Sequence, residues 1–171
     1  MTHSPTSPEP QISRRAASLR FPGLLLGLGL GGFVDGIVLH QILQWHHLIS
    51  QETPPTDLGN LQANVTADGL FHATTWLLVV AGLAALWTTV RSGRPWTWRH
   101  LVGWMLAGWG IFNLVEGVVD HHLLQIHRVR PNTADPLAWD IGFLVLGALL
   151  LVGGWLLARA APPSSTETST G

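Results

Sequence analysis

The segment LAWDIGFLVLGALLLVGGWLLA, residues 137–158, decides the fold of this chain. It contains one ionisable residue, Asp140, and it is long enough to cross a bilayer, which takes ~20 apolar residues in an α-helix. Three further apolar spans precede it, at about 21–49, 68–90 and 100–124. Helices of a water-soluble bundle would show polar outer faces, and these spans show none. The sequence therefore predicts an all-α membrane protein with four transmembrane helices.

The composition agrees with a membrane protein. The 171 residues are 47% hydrophobic and only 11% charged, whereas soluble domains carry about a quarter charged residues. Cysteine is absent, which excludes disulfides and thiolate metal sites. The formal net charge is −1 and no basic block is present, so we expect the lipid bilayer and no nucleic acid as a partner.

The chain divides into a membrane domain and two tails. Residues 1–18 and 161–171 are rich in Ser, Thr and Pro, so we expect both tails to be disordered and residues 19–160 to form the four-helix domain. Seven of the nine arginines lie before span one, between spans two and three, or after span four. By the positive-inside rule both termini are cytoplasmic, and the connections at 50–67 and 125–136 face outward.

Ionisable residues gather in the outer half of the predicted spans, where burial in lipid is costly and usually marks function. They are Asp35, His40, His46, Asp68, His72, Glu116, Asp120, His121, His127 and Asp140. Carboxylates with imidazoles are a ligand set for Zn, Fe, Mn or Cu(II), and helix bundles with two metal ions use it from facing helices. The sequence therefore predicts a divalent metal site, mononuclear or dinuclear.

The predicted ligands comprise a favoured set and two residues that have a second interpretation. The favoured set is His40, His72, Glu116, Asp120 and His121, with support from Asp35, Asp68 and Asp140. The remaining two, His46 and His127, lie near the outer interface and are either ligands or solvated side chains. If the metal activates water for hydrolysis, Glu116 or Asp120 is the predicted catalytic base.

Two segments of the chain repeat each other. Residues 34–46, VDGIVLHQILQWH, match residues 115–127, VEGVVDHHLLQIH, at seven of thirteen positions. We interpret the bundle as two parallel, pseudo-repeated helical hairpins related by an axis along the membrane normal. Facing pairs near that axis are Asp35 with Glu116, His40 with His121, His46 with His127, and Asp68 with Asp140.

Regular helices would not bring all of these residues to one ion. Asp35 and His40 are five residues apart, about 140° around an α-helix, and Glu116 and His121 have the same spacing. Asp35 and His46 would lie about 16 Å apart along the axis. Three alternatives remain open: two sites at different depths, a π-bulge that turns one side chain, or residues that only support the others.

The motifs DGIVLHQILQWHH, LFHATTW and NLVEGVVDHHLLQIHRVRP resemble those of a bacterial family of predicted integral membrane proteins of unknown function. The resemblance covers about residues 20–158. It implies a small four-helix protein of the bacterial inner membrane and implies no activity.

Four functions stay open on these residues. The first is a membrane metalloprotein, with a metal-dependent oxidoreductase or hydrolase among its forms. The second is a haem protein with His40 and His121, or His72 and either of them, as axial ligands, although haem has no need of the acids. The third is a metal-handling or assembly factor for a respiratory membrane complex. The fourth is a proton or ion pathway, which the lack of polar residues in the inner half disfavours; such a small pathway would need a homo-oligomer.

Overall fold

The computed structural model describes residues 17–160, and within them the chain is helical without β-strands. Its elements are α1 (Arg20–Val34), π1 (Asp35–Ile42), α2 (Leu58–Arg91), α3 (Trp98–Glu116), π2 (Gly117–Leu123) and α4 (Pro136–Arg159). The two π-helices continue α1 and α3 directly. Four helices are long and apolar enough to cross a membrane, which confirms the predicted fold class.

Two helices differ in their limits from the predicted spans. The first span was expected to reach residue 49, but its helix ends at Ile42. The second was expected to begin at residue 68, but α2 begins at Leu58, because the Asp57 side chain accepts a hydrogen bond from the Asn60 N–H and caps the helix. Polar residues in this first part of α2 resemble a loop in sequence, so the pattern places the helix start too late.

The predicted tails lie almost entirely outside the described residues. The exception is the end of the first tail, where Ala17 is buried and donates a backbone hydrogen bond to the Pro95 carbonyl at 3.1 Å. Ala17 therefore belongs to the folded part of the chain.

The helices α1 and α3 are the inner helices of the bundle, and α2 and α4 are its outer helices. Among the described residues α1 packs against α2 and α3, and α3 packs against α1 and α4. The outer helices present large apolar side chains such as Leu77, Trp87, Leu149 and Leu156 on their surfaces, as expected for faces in contact with lipid. Polar groups of the inner helices are consequently shielded from lipid by α2 and α4.

The inner helices approach each other closely because glycines line their contact. A Cβ atom added at Gly27 would collide with the Met105 carbonyl, and one added at Gly108 would collide with the Leu24 carbonyl. Small residues allow transmembrane helices to pack at such short range. The C-terminal ends of α1 and α3, where Asp35 and Glu116 lie, are therefore held side by side.

Candidate metal centre

The π-helices change which side chains share a face. An α-helix would separate Asp35 from His40, but in π1 the wider turn brings residues five apart together, and Asp35 Oδ2 lies 3.0 Å from His40 Nε2. In π2 the Glu116 Oε1 atom lies 4.0 Å from His121 Nε2. Of the three alternatives that the sequence left open, π-helical geometry is therefore present, at both repeats.

The chain turns back after each π-helix. Gln44 and Gln125 have φ angles of 48° and 53°, in the left-handed region that non-glycine residues adopt infrequently. The next residue in each case, Trp45 or Ile126, donates its backbone N–H to a carbonyl six residues earlier at 3.0 Å. This reversal returns the following histidine toward the helix end, so the axial separation expected for a continuous helix does not arise.

Four buried side chains converge beyond the C-terminal ends of α1 and α3. His40, His46, Glu116 and His127 each offer one ligand atom, and these four atoms all lie within 4.8 Å of one another. The rings of His46 and His127 are parallel, with centroids 4.6 Å apart, and His127 Nε2 lies 3.4 Å from Glu116 Oε1. Metal–ligand bonds of about 2.0–2.2 Å would require these atoms to move inward by about 1 Å.

Backbone carbonyls orient two of the histidines. His46 Nδ1 donates to the Val129 carbonyl at 2.8 Å, and His127 Nδ1 donates to the Leu48 carbonyl at 2.9 Å. A carbonyl oxygen only accepts, so the proton of each neutral ring is on Nδ1 and Nε2 carries a free lone pair. Such outer hydrogen bonds are typical of metal-binding histidines.

Burial also keeps these two rings neutral. His46 and His127 lie beyond the membrane-spanning helices but are 3% and 0% exposed. Burial, followed by the nearby His127, lowers the pKa of His46 to about 3, and burial lowers the pKa of His127. The neutral imidazole is the form that binds a metal ion. The alternative that these residues are solvated is therefore wrong.

The third histidine is oriented by a carboxylate. His40 Nδ1 lies 2.9 Å from Asp68 Oδ1, and this carboxylate also accepts the Leu48 N–H at 2.9 Å and contacts His47 Nδ1 at 2.7 Å. The other nitrogen of His40 faces Asp35. Asp68 therefore orients the His40 ring, and its supporting role in metal binding stays a prediction.

The second half of the molecule repeats these contacts. Asp140 accepts the Val129 N–H at 3.0 Å and the Arg128 guanidinium at 2.8 Å, and it lies 3.9 Å from His121 Nδ1. Leu48 and Val129, whose N–H groups bind the two aspartates, are equivalent positions of the predicted repeat. The halves also hold each other, because each carbonyl orients a histidine of the opposite repeat.

Several buried atoms in this region have no hydrogen-bond partner. Among residues 17–160 they are His46 Nε2, Glu116 Oε2 and both ring nitrogens of His121, while Asp35 Oδ2 and His40 Nε2 face only each other, at 3.0 Å. An unsatisfied buried polar atom costs about 1–3 kcal/mol. Their concentration at one place indicates a region that is completed by a bound group.

The predicted ligands thus form four groups by their position relative to this cluster. His40, His46, Glu116 and His127 form the convergent group; Asp35 and His121 adjoin it; Asp68 and Asp140 support it; His72 and Asp120 lie outside it. The ring of His72 stacks on Phe33, with 6.2 Å between centroids, and Asp120 is half-buried. Metal binding by each of the ten residues, and a catalytic role for Glu116 or Asp120, stay predictions.

The orienting carbonyls of Leu48 and Val129 were missed by sequence reasoning. Main-chain groups leave no direct mark in a sequence, but both residues stand two positions after a matched histidine of the repeat. Extending the alignment of the two segments by two residues would have drawn attention to them.

Comparison with known proteins gives a family without an activity. Residues 22–161 match the family model described as "Predicted membrane protein (DUF2243)", so the chain belongs to this family of membrane proteins of unknown function. No curated protein and no solved structure matches the chain.

Proposed function

We propose that this member of the family is a metalloprotein of the bacterial inner membrane, which binds one divalent transition metal ion through His40, His46, Glu116 and His127. The convergence of their four buried ligand atoms carries the proposal. With cytoplasmic termini, as the arginines predict, the site lies in the outward-facing half of the membrane.

The chemistry of His40 supports a cation at this place. If its proton is on Nδ1 and shared with Asp68, its Nε2 lone pair faces the Asp35 carboxylate at a distance of 3.0 Å. Two acceptors at this distance repel unless a proton or a metal ion lies with them. A metal ion would satisfy Nε2 of His40 together with the same atom of His46, which has no partner among residues 17–160.

Three imidazoles and one carboxylate suit Zn, Fe, Mn or Cu(II), while the scarcity of sulfur ligands disfavours Cu(I). Asp35 and His121 adjoin the four ligands and are available as donors to a second ion or as proton acceptors. We infer a metal-dependent oxidoreductase or hydrolase, in which Asp35 is the carboxylate placed to accept a proton beside the ion. A metal-handling factor for a respiratory complex would use the same ligands without turnover.

The ring packing disfavours haem between two pairs of the convergent histidines, while the predicted axial pairs, His40 with His121 or His72 with either, stay an alternative. His46 and His127 stack in parallel, and the ring centroids of His40 and His46 are 4.5 Å apart. A porphyrin requires a flat space between its two axial ligands, and these contacts leave none between those pairs of rings.

Metal content is the direct test of the site. We expect protein purified in mild detergent, without chelator and without nickel affinity resin, to contain about one equivalent of Zn, Fe, Mn or Cu per chain. Elemental analysis measures the metal, and an absorption spectrum on the same sample detects haem by its Soret band. Absence of metal after reconstitution with each ion would contradict the proposal, and a Soret band would replace the bare ion with haem.

The support from Asp68 gives a second test. Replacing Asp68 with Asn should weaken metal binding by about 10- to 100-fold, the usual effect of losing a partner of a metal-bound histidine. Asp57→Asn is the matched control, because Asp57 caps α2 at its exposed start. Competition with a coloured chelator measures both affinities, and an unchanged affinity in the Asp68 variant would argue against His40 as a ligand.

A further inference from the structure

A cavity of about 340 Å³ adjoins the proposed metal centre. It lies between α1, α3 and α4, and Trp45, Trp109, Trp139 and Phe143 form its aromatic walls. Small-molecule sites are typically 300–1,000 Å³ and mostly apolar, with a few polar groups. We call this cavity the tryptophan pocket.

The corresponding positions in the other half of the molecule carry larger side chains. Gly31 and Gly142 line the tryptophan pocket, whereas their repeat positions are Phe112 and Leu70. The Phe112 ring packs against the Phe71 ring with 6.0 Å between centroids. A cavity loses packing energy, so the stability of the fold does not explain why glycines line this one.

The tryptophan pocket shares residues with the metal centre. Asp35 lines it, and Asp35 Oδ2 lies 3.0 Å from His40 Nε2. Val129 lines it as well, and its carbonyl orients His46. A molecule in this pocket therefore touches two residues in direct contact with proposed metal ligands.

The rim of the pocket gives the direction of entry. Val34, Trp139 and Leu146 are 41%, 39% and 46% exposed on membrane-spanning helices, so the rim faces the lipid. At the outer end the Arg130 guanidinium lies 4.8 Å and 5.1 Å from the rings of Trp45 and Trp139, and closes that side by cation–π contacts. A ligand would enter from the lipid phase.

One uncharged polar side chain lines the pocket. It is the carboxamide of Asn113, a residue that is 2% exposed. It can donate to a carbonyl oxygen or accept from a hydroxyl group. A lipid acyl chain would leave this amide unpaired, whereas a flat ring with an oxygen substituent would satisfy both the amide and the aromatic walls.

We propose that the tryptophan pocket binds a lipid-soluble ring of the quinone class, with one ring oxygen hydrogen-bonded to Asn113. That such a ring is the substrate of the metal centre rests on the proposed function; its binding in the pocket does not.

Filling the pocket is the first experiment. A Cβ added at Gly142 meets no atom within 4 Å, so Gly142→Leu places a side chain in the cavity without a collision at Cβ. Gly153 has the same free surroundings in α4 and does not line the cavity, which makes Gly153→Leu the matched control. We expect Gly142→Leu to weaken duroquinone binding by ~10-fold or more, because the leucine side chain takes up space that the ring needs.

Binding is measured in lipid nanodiscs by quenching of tryptophan fluorescence, with the control variant correcting for partition into lipid. Equal duroquinone affinity in wild type, Gly142→Leu and Gly153→Leu would overturn the assignment of the pocket.

The ligand class is tested with durene, which has the same methylated ring without the oxygens. We expect duroquinone to bind wild type ~3- to 10-fold more tightly than durene, the range for one hydrogen bond, and Asn113→Leu to remove the difference. Equal affinities for the two rings in wild type would overturn the quinone class and indicate a site for apolar chains or rings in general.

Loading with Co(II) separates this inference from the proposed function, because the visible spectrum of Co(II) reports on its ligands. We expect duroquinone to shift the Co(II) bands in wild type and in Gly153→Leu but not in Gly142→Leu. Quinone binding without Co(II) binding would contradict the metal site and leave the pocket intact. Binding of both without a spectral shift would show that the ring is not a substrate of the metal centre.

Discussion

Replacing His127 with alanine should abolish metal binding while the four helices remain folded. His127 supplies one of four convergent ligand atoms, and its ring is oriented by the Leu48 carbonyl across the two halves of the molecule. Loss of an outer partner of a metal-bound histidine typically costs 10- to 100-fold in affinity, so loss of the ligand itself should cost more than about 100-fold. His127 follows the membrane-spanning part of π2, so its removal leaves the helix contacts in place.

The measurement is metal content together with helical circular dichroism in detergent. His46→Ala should behave in the same way, because His46 occupies the equivalent position and contacts the Val129 carbonyl. His122→Ala is the control, since His122 is half-buried and lies outside the convergent group. Full metal occupancy in the folded His127 variant would remove this residue from the site, and a loss of metal in all three variants would point to nonspecific damage.

The membrane-spanning helices were predictable because each leaves a long apolar run in the sequence. The helix bounds differ most from the predicted spans at the end of the first and the start of the second, where helix and loop differ in geometry and not in polarity. The ten residues before residue 68 contain Asn and Gln, yet they are helical because Asp57 caps the segment and Asn64 is buried.

The site was predictable in its residue types and less so in its geometry. The repeat pairs His46 with His127, but regular helix geometry favoured His72 and Asp120 and left the interface histidines doubtful. Two features bring His46 and His127, and not His72 and Asp120, into the convergent group. They are the π-helices and the left-handed backbone at Gln44 and Gln125. Both depend on hydrogen bonds that form only when the two halves of the chain meet, so neither can be inferred from local propensity.

The two halves of the chain make matched contacts, and the duplication itself stays a prediction. Each half contributes a histidine that is held by a carbonyl of the other half, so neither hairpin alone would orient its own ring. The contact between α1 and α3 is therefore a requirement of the site and not only of the fold.

Gly27→Val should disrupt this contact and the metal site together. Any Cβ at Gly27 collides with the main-chain carbonyl of Met105, and the backbone of Gly108 lies beside it. Because main-chain atoms cannot rotate away, the inner helices must separate, and we expect a loss of about 3 kcal/mol or more in unfolding free energy. For a chain of this size such a loss lowers the unfolding temperature by about 6–12 °C.

Thermal unfolding followed by circular dichroism, with metal content on the same samples, measures both effects. Gly153→Val is the control, because it adds the same side chain to a helix where a Cβ meets no atom within 4 Å. A Gly27→Val protein as stable as this control would mean that α1 and α3 do not meet at their glycines. If Gly27→Val unfolds early yet keeps its metal below the transition, the four ligands do not depend on the spacing of the inner helices. Loss of metal at temperatures where the helices remain intact would instead support a centre assembled between the two hairpins, since a small separation of α1 and α3 is enough to part Glu116 from His40.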